Sequence, residues 1–449
     1  MAFRRWLLIL AALVLATDTA ILLDLPVLRQ GLGFLCFTTV PGLLILYSLR
    51  LRESNLLHKL LLSIGLSISL LIFAGLLINT LLTLLGCSQP LSTLPLVLSL
   101  SLVTAVLGLA AYWRNRGAPQ FTLVAPKLRG YFEGKHVWLS LFPFLFPFLA
   151  VVGAELINKS DNNKILLAMF LLIPLYLILL VWQSKRVSSA TYPIAVVMIS
   201  VSLLLARGLL SGYLMGGDIY SEYHAFQVVT NNLRWSPEPS TTVNASLSVS
   251  LLPAIFQSIL GIDALYIFKV VLPLLISLVP LIAYAIYERY VGQLYGFLAS
   301  FFLMAQTPFI YLLPAQIRVG VALVSFSLAL MVLWEPHIDD LRRRTLFLIF
   351  LFSLVVEYYV LPVLFVAVMI PCWLVARRAK ASSPQSVSFI ATILLPLVLI
   401  FFWWGQITGG AFASYVEYAR NVGVNLSSLF VAELRAPIII LLYNPAPYP

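Results

Sequence analysis

A chain of 449 residues that is 61% hydrophobic and 10% charged cannot keep its apolar side chains away from water on a soluble surface. With a mean hydropathy of +1.00 it reads as an all-α polytopic membrane protein, because backbone polar groups in lipid have to be satisfied within helices. The formal charge of +11 does not point to nucleic acid, since Lys and Arg fall in short clusters between apolar runs, as cytoplasmic loops do. Cys36, Cys87 and Cys372 show no ligand spacing, which argues against a disulfide framework or a thiolate metal site.

In chain order, Met1-Ala2-Phe3-Arg4-Arg5 ahead of Trp6 to Leu23 resembles a signal peptide. It lacks a small-residue cleavage site, and reads as a retained first helix with the N-terminus in the cytoplasm. Runs at 6–23, 31–49, 60–85, 93–113, 137–156, 165–182 and 192–212 then put Arg50, Arg52 and Lys59, the 114–136 loop, and Lys185 and Arg186 inside. Asp218 follows on the outer side. Residues 247–262 are apolar but short, and a full crossing there would push Arg342-Arg343-Arg344 and Arg377-Arg378-Lys380 outside, so they read as an interfacial or re-entrant helix. Spans at 264–287, 293–313 and 318–334 come next. The run 345–376 has basic residues at both ends and reads as a hairpin turning near Glu357-Tyr358-Tyr359 and Pro362. With a last span at 388–407, the count is about thirteen transmembrane helices.

Three sequons, at Asn158, Asn244 and Asn425, all fall outside on this threading, where glycan can be attached. Trp235-Ser236-Pro237-Glu238-Pro239 reads as a rigid surface turn, and Trp403-Trp404 as interfacial anchors. His58, His136 and His337 fall in cytoplasmic loops and are given no role.

The stretch Gly216-Gly217-Asp218-Ile219-Tyr220-Ser221-Glu222-Tyr223-His224 concentrates ionisable groups where the chain otherwise avoids them. Asp218 and Glu222 are four apart, so a helix puts both carboxylates on one face, with His224 off to the side. Such a pair can hold a divalent metal, or supply a general base and an anchor; the plainer alternative is a solvated loop. Tyr220, Tyr223 and Phe226 make the segment amphipathic. Arg207, Lys269, Arg318 and Glu357 share the outer half of the bilayer, a depth at which charges face a protein interior or an aqueous cavity unless each snorkels alone. Lys269 and Arg318 are candidate phosphate ligands, and Glu357 a candidate partner of either.

A long helix ending outside in an acidic loop, an amphipathic segment, a short apolar helix with Pro253, and then Tyr266-Ile267-Phe268-Lys269-Val270-Val271-Leu272-Pro273 together resemble the core of C-type (GT-C) membrane glycosyltransferases over residues 192 to about 407. The chain is also similar to a family of archaeal multi-pass membrane proteins of uncharacterised activity. That similarity lies in Pro41-Gly42-Leu43-Leu44, Leu56-Leu57-His58-Lys59, Ser63 to Ser67, Asp218 to Tyr223 and Asn244 to Ser248. The resemblance implies a six-helix region over 1–190 and a catalytic membrane core over 191–449. It implies sugar transfer from a polyprenyl- or dolichyl-phosphate donor to a glycan, lipid or protein acceptor. Asp218 and Glu222 would be the catalytic residues, and also ligands of a divalent metal, Mg or Mn, if one is used. Lys269, Arg318, Glu357, Tyr223 and His224 would contact substrate. A transporter or flippase of an anionic lipid-linked glycan, and a non-catalytic scaffold of a glycosylation complex, are the competing readings.

Overall fold

The computed structural model describes residues 3–51, 55–116, 137–335, 338–378 and 393–409, with single positions at 416, 420, 421 and 423. The described residues form helices and turns without a strand. Eight helices are long and apolar enough to cross a membrane. They are α1 (Phe3–Leu22), α2 (Leu28–Ser48), α3 (Leu56–Leu84), α4 (Thr93–Asn115), α5 (Trp138–Ser160), α6 (Lys164–Trp182), α7 (Thr191–Gly208) and, after two shorter helices, α10 (Ala264–Met304). The shorter pair are α8 (Asp218–Asn232) and α9 (Leu251–Leu260). A ninth candidate is the pair Pro308–Ala315 and α11 (Ile317–Leu333), bent by 115°. The sequence continues through α12 (Asp340–Glu357), α13 (Val360–Arg378) and α14 (Leu395–Ile407). The Asn425 sequon, the 425–449 tail, His136 and His337 lie outside the described residues.

The 41 residues of α10 are not one straight rod. Gly292 has φ 80° and ψ 169°, a conformation open to glycine and strained for other residues. A Cβ built at Gly296 would lie 3.0 Å from the backbone nitrogen of Glu288, whereas eight residues of straight helix span about 12 Å. The chain therefore doubles back at Gly292, where the sequence reading ends one span near 287 and begins the next at 293. The hairpin expected at Glu357-Tyr358-Tyr359 is also present: α12 stops at Glu357, Tyr358 is extended, and α13 starts at Val360 with Pro362 in its first turn, where a missing N–H costs nothing.

Helix α3 is the hub, packing on α2, α4, α9, α10, α11 and α12. The α2–α3 seam shows how these helices approach in the absence of a hydrophobic drive between them. Pro41 leaves the ladder of α2 short of a donor, Gly42 N donates to Ser67 Oγ at 2.8 Å, and Ser63 Oγ donates to Thr39 O at 2.7 Å. The backbones touch. Helix α9 is enclosed by α2, α3 and α4 rather than lying at an interface, with Leu251, Leu252, Ile255, Phe256 and Ile259 fully buried. Its C-terminal carbonyls are capped by Arg29, which donates to Ile259 O and Ser258 O at 2.8 Å each.

Some local expectations give way. Trp403 and Trp404 are buried, donating their indole N–H groups to Ala245 O (3.1 Å) and Val355 O (3.0 Å) instead of anchoring at a lipid interface. Trp235 is buried against Trp403, with Asn79 bonded to both its backbone N–H and carbonyl. Asn244 is enclosed, its amide donating to Ser236 O and Pro239 O, so the folded chain offers no glycan acceptor there. His58 is a buried residue in the first turn of α3, 2.9 Å from Arg289.

A Cβ at Gly42 would fall 1.9 Å from Ser63 O, a backbone atom, while one at Gly108 meets nothing within 4 Å. Gly42→Ala is therefore expected to cost about 2 kcal/mol or more and Gly108→Ala to be neutral or slightly stabilising; thermal unfolding in detergent, monitored by size-exclusion recovery, compares them.

Candidate functional site

Helix α8 begins at the acidic stretch. Its inward face carries Ile219, Glu222, Ala225, Phe226 and Val229, and its outward face Tyr220, Ser221, His224 and Gln227. The amphipathic reading of this segment holds, but its buried side lies on protein: Phe226 and Tyr223 each pack 5.3 Å from the ring of Phe268. The loop before it is pressed onto the bend ahead of α11. Gly216 has φ 149°, and a Cβ there would lie 2.4 Å from Ala315 Cβ, so the approach requires glycine.

At that bend the two carboxylates meet one guanidinium. Arg318 Nη2 is 2.9 Å from Asp218 Oδ2, and Arg318 Nε is 3.3 Å from Glu222 Oε1. The other oxygen of Glu222 accepts from Ile317 N at 2.8 Å. Glu222 thus satisfies one of the free amides at the start of α11, where negative charge is favoured by the helix dipole. The cluster is graded in access: the side chains of Glu222, Arg318 and Asp218 are 0%, 9% and 42% exposed. The guanidinium lies 5.6 Å from the centroid of the Tyr358 ring, a cation–π contact, and its Nη1 has no hydrogen-bond partner among the described residues.

Glu357 comes to the same end of the molecule by a different route. Its carboxylate is fully buried, accepts from Ser325 Oγ at 2.9 Å, and has its second oxygen unpartnered among the described residues. Its backbone carbonyl accepts from Ser248 Oγ, and Val356 O accepts from Leu247 N, which ties the α12–α13 turn to the loop ahead of α9. Among the described residues Glu357 forms no ion pair with Arg318 or Lys269, the partners offered by sequence reasoning. Lys269 lies on the far side of the Phe268 contact, in a π-helical turn (Ile267–Val271), with Nζ donating to Ser211 O at 2.5 Å. It lines a separate cavity of about 590 Å³ with Asn158, Asp263 and Tyr266, and none of Asp218, Glu222 and Arg318 lines that cavity. His224 faces outward, away from the cluster, and Tyr223 packs on Phe268. Asp218, Glu222 and Arg318 are therefore brought together, Glu357 lies nearby, and Lys269, Tyr223 and His224 belong elsewhere.

The donor set fits a divalent cation poorly. Both carboxylates already face one guanidinium, so a metal on Asp218 and Glu222 would have to displace Arg318. No group of three or more His, Cys, Asp or Glu residues suited to a metal occurs among the described residues. Sequence reasoning passed over Tyr358 as a ligand-facing ring and the N-terminus of α11 as the seat of Glu222. Pro308 and Pro314, just ahead of Arg318, were the available signal that a helix restarts there. Comparison of the chain with protein-family models, curated proteins and solved structures gives no match.

Burial pushes the Glu222 carboxyl up to about 7, against the pull of Arg318 and of the Ile317 N–H. A carboxyl whose folded value exceeds its unfolded value of 4.5 holds an extra proton in the folded chain, so its contribution to stability is present at low pH and is lost as pH rises through about 7. Difference infrared spectra between about pH 5 and about pH 9 are expected to show loss of a protonated-carboxyl band that is absent in Glu222→Gln. Breaking the buried pair from one side should be worse than removing it whole: Arg318→Met is expected to cost about 3–5 kcal/mol, and the double variant with Glu222→Gln clearly less, in a detergent unfolding cycle.

Proposed function

We propose that the chain is a membrane glycosyltransferase that moves a sugar from a polyprenyl- or dolichyl-phosphate donor to an acceptor on the extracytoplasmic side. The finer threading belongs to this reading: about thirteen crossings, the N-terminus in the cytoplasm, residues 1–190 as a six-helix region and 191–449 as a C-type catalytic core. The observation that carries it is the Asp218–Arg318 pair, in which a half-exposed carboxylate is held at 2.9 Å by a buried guanidinium that keeps a free donor.

The chemistry asks for little more. A sugar on a lipid phosphate carries its leaving group already, so the protein has to set an acceptor hydroxyl against the anomeric carbon, remove its proton and stabilise the departing phosphate. Arg318 holds one oxygen of Asp218, leaving the other to take the proton as the acceptor oxygen bonds to carbon. The bond from carbon to the phosphate oxygen breaks, its electron pair leaves on the lipid phosphate, and the positive charge of the Arg318 guanidinium is the available electrostatic stabiliser. Glu222 is the positioning residue, holding Arg318 and α11 rather than touching substrate. No step uses a metal.

A second reading, transport of an anionic lipid-linked glycan, is favoured by one feature: a helix broken by 115° with charge at the break is how many transporters build a substrate site. Asp218→Asn separates the readings. In vesicles given a radiolabelled polyprenyl-phosphate hexose, the variant is expected to lose transfer by about 10²-fold or more with unchanged size-exclusion behaviour. Lipid movement that survives alongside absent transfer in the wild type favours the transporter, and indifference to the substitution favours a scaffold. Transfer is expected to stay within about twofold of its untreated rate in EDTA.

A further inference from the structure

A cavity of about 530 Å³ between α1 and α4 takes no part in the proposed reaction. Its α1 wall runs from Arg4 to Asp18 and its α4 wall from Ser101 to Tyr112, with Val40 and Leu44 of α2 as the floor. From Arg4 to Asp18 the helix rises about 21 Å, so the volume leaves a cross-section of about 25 Å². A helix, about 10 Å across, is too wide for this groove. One hydrocarbon chain, whose carbons pack about 4 Å from their neighbours, fits it. Leu8 and Leu15 on its edge are 63% and 66% exposed, so the groove opens sideways, to the bilayer.

Both ends of the groove carry a charged residue, Arg4 at one and Asp18 at the other. Asp18 sits four residues before the end of α1, about 6 Å along the axis, near the level where the apolar span stops. Its Oδ2 accepts from Ser101 Oγ at 2.8 Å, and its Oδ1 has no donor among the described residues. A carboxyl with a single side-chain donor, on the wall of a mostly apolar groove inside a span, is costly and marks a functional position.

The geometry points to a binding site for a single-chain lipid whose head donates a hydrogen bond, either a hydroxyl or an ammonium group, with the chain between α1 and α4 and the head on Asp18. At this end a phosphate or carboxylate head is disfavoured because it would meet the Asp18 carboxyl, whereas Arg4, about 21 Å away at the other end, is the cation such a head would meet. The site does not rest on the glycosyl-transfer reading, and its ligand differs in charge from the donor of that reaction.

The test uses the full chain in phosphatidylcholine nanodiscs and three hexadecyl probes carrying a photoreactive diazirine: the alcohol, the amine and the phosphate. In the chain carrying Arg4→Gln, which removes the cation at the other end of the groove, the alcohol or the amine is expected to label peptides of α1 and α4 at least about tenfold more than the phosphate. Gly108→Leu places a side chain in space where a Cβ meets nothing within 4 Å, so it should fold normally and cut the labelling about tenfold. Asp18→Ala should remove the preference for either head. Asp18→Asn, whose amide oxygen still accepts, should spare the alcohol and abolish the amine, which tells the two heads apart. Equal labelling by all three probes, or labelling of α1 and α4 that Gly108→Leu leaves unchanged, overturns the proposal.

Discussion

One guanidinium holds one end of this molecule together. Arg318 lies at the first turn of α11, just past a 115° bend, and bonds a carboxylate at each of two successive turns of α8. Without it, Glu222 would be a fully buried acid facing a helix N-terminus alone, and the amphipathic segment would lose its polar attachment to the bundle. Burying such a group has a desolvation cost that only good geometry offsets. Here the cost is shared among a guanidinium, a backbone amide and an aromatic ring, which also explains why α8 keeps one orientation with Asp218 turned outward.

The same economy recurs across the bundle. Buried charges are met by backbone as often as by opposite charge: Arg29 caps α9, Lys269 meets Ser211 O, and Arg343 donates to Glu335 O and Ile338 O. Helix ends and loop carbonyls are abundant wherever a helix is interrupted, and this chain interrupts many of them. Tyr358 and the bend before α11 each place interrupted backbone beside protein, a setting in which a spanning chain tolerates it.

Periodicity and charge placement made the membrane class, the break near 292, the turn at 357–359 and the shared face of Asp218 and Glu222 legible in the sequence. What was hidden depends on which side of an apolar residue is covered. Trp403 and Trp404 have the composition of an interfacial belt, yet they donate inward because Ala245 and Val355 offer carbonyls there. Lys269 and Arg318 sit at a similar depth in the threading, yet Lys269 bonds Ser211 O and lines a separate cavity, a separation that one-dimensional order does not encode. Asn244 matches a sequon while its amide serves the fold. The groove at Asp18 escaped notice because an isolated acid near a helix end looks like ordinary interfacial polarity until its neighbours are seen.

The two indole bonds of Trp403 and Trp404, with Ser240 Oγ donating to Thr408 O at 2.6 Å, fasten the segment 235–250 to a stretch 158 to 168 residues later in the chain, and the end of α12 to one 49 residues later. During synthesis the loop and α12 emerge well before their latch does. The segment 235–250 therefore receives its last fastening only when α14 docks, a late event in assembly timed by translation of the distal part of the polypeptide.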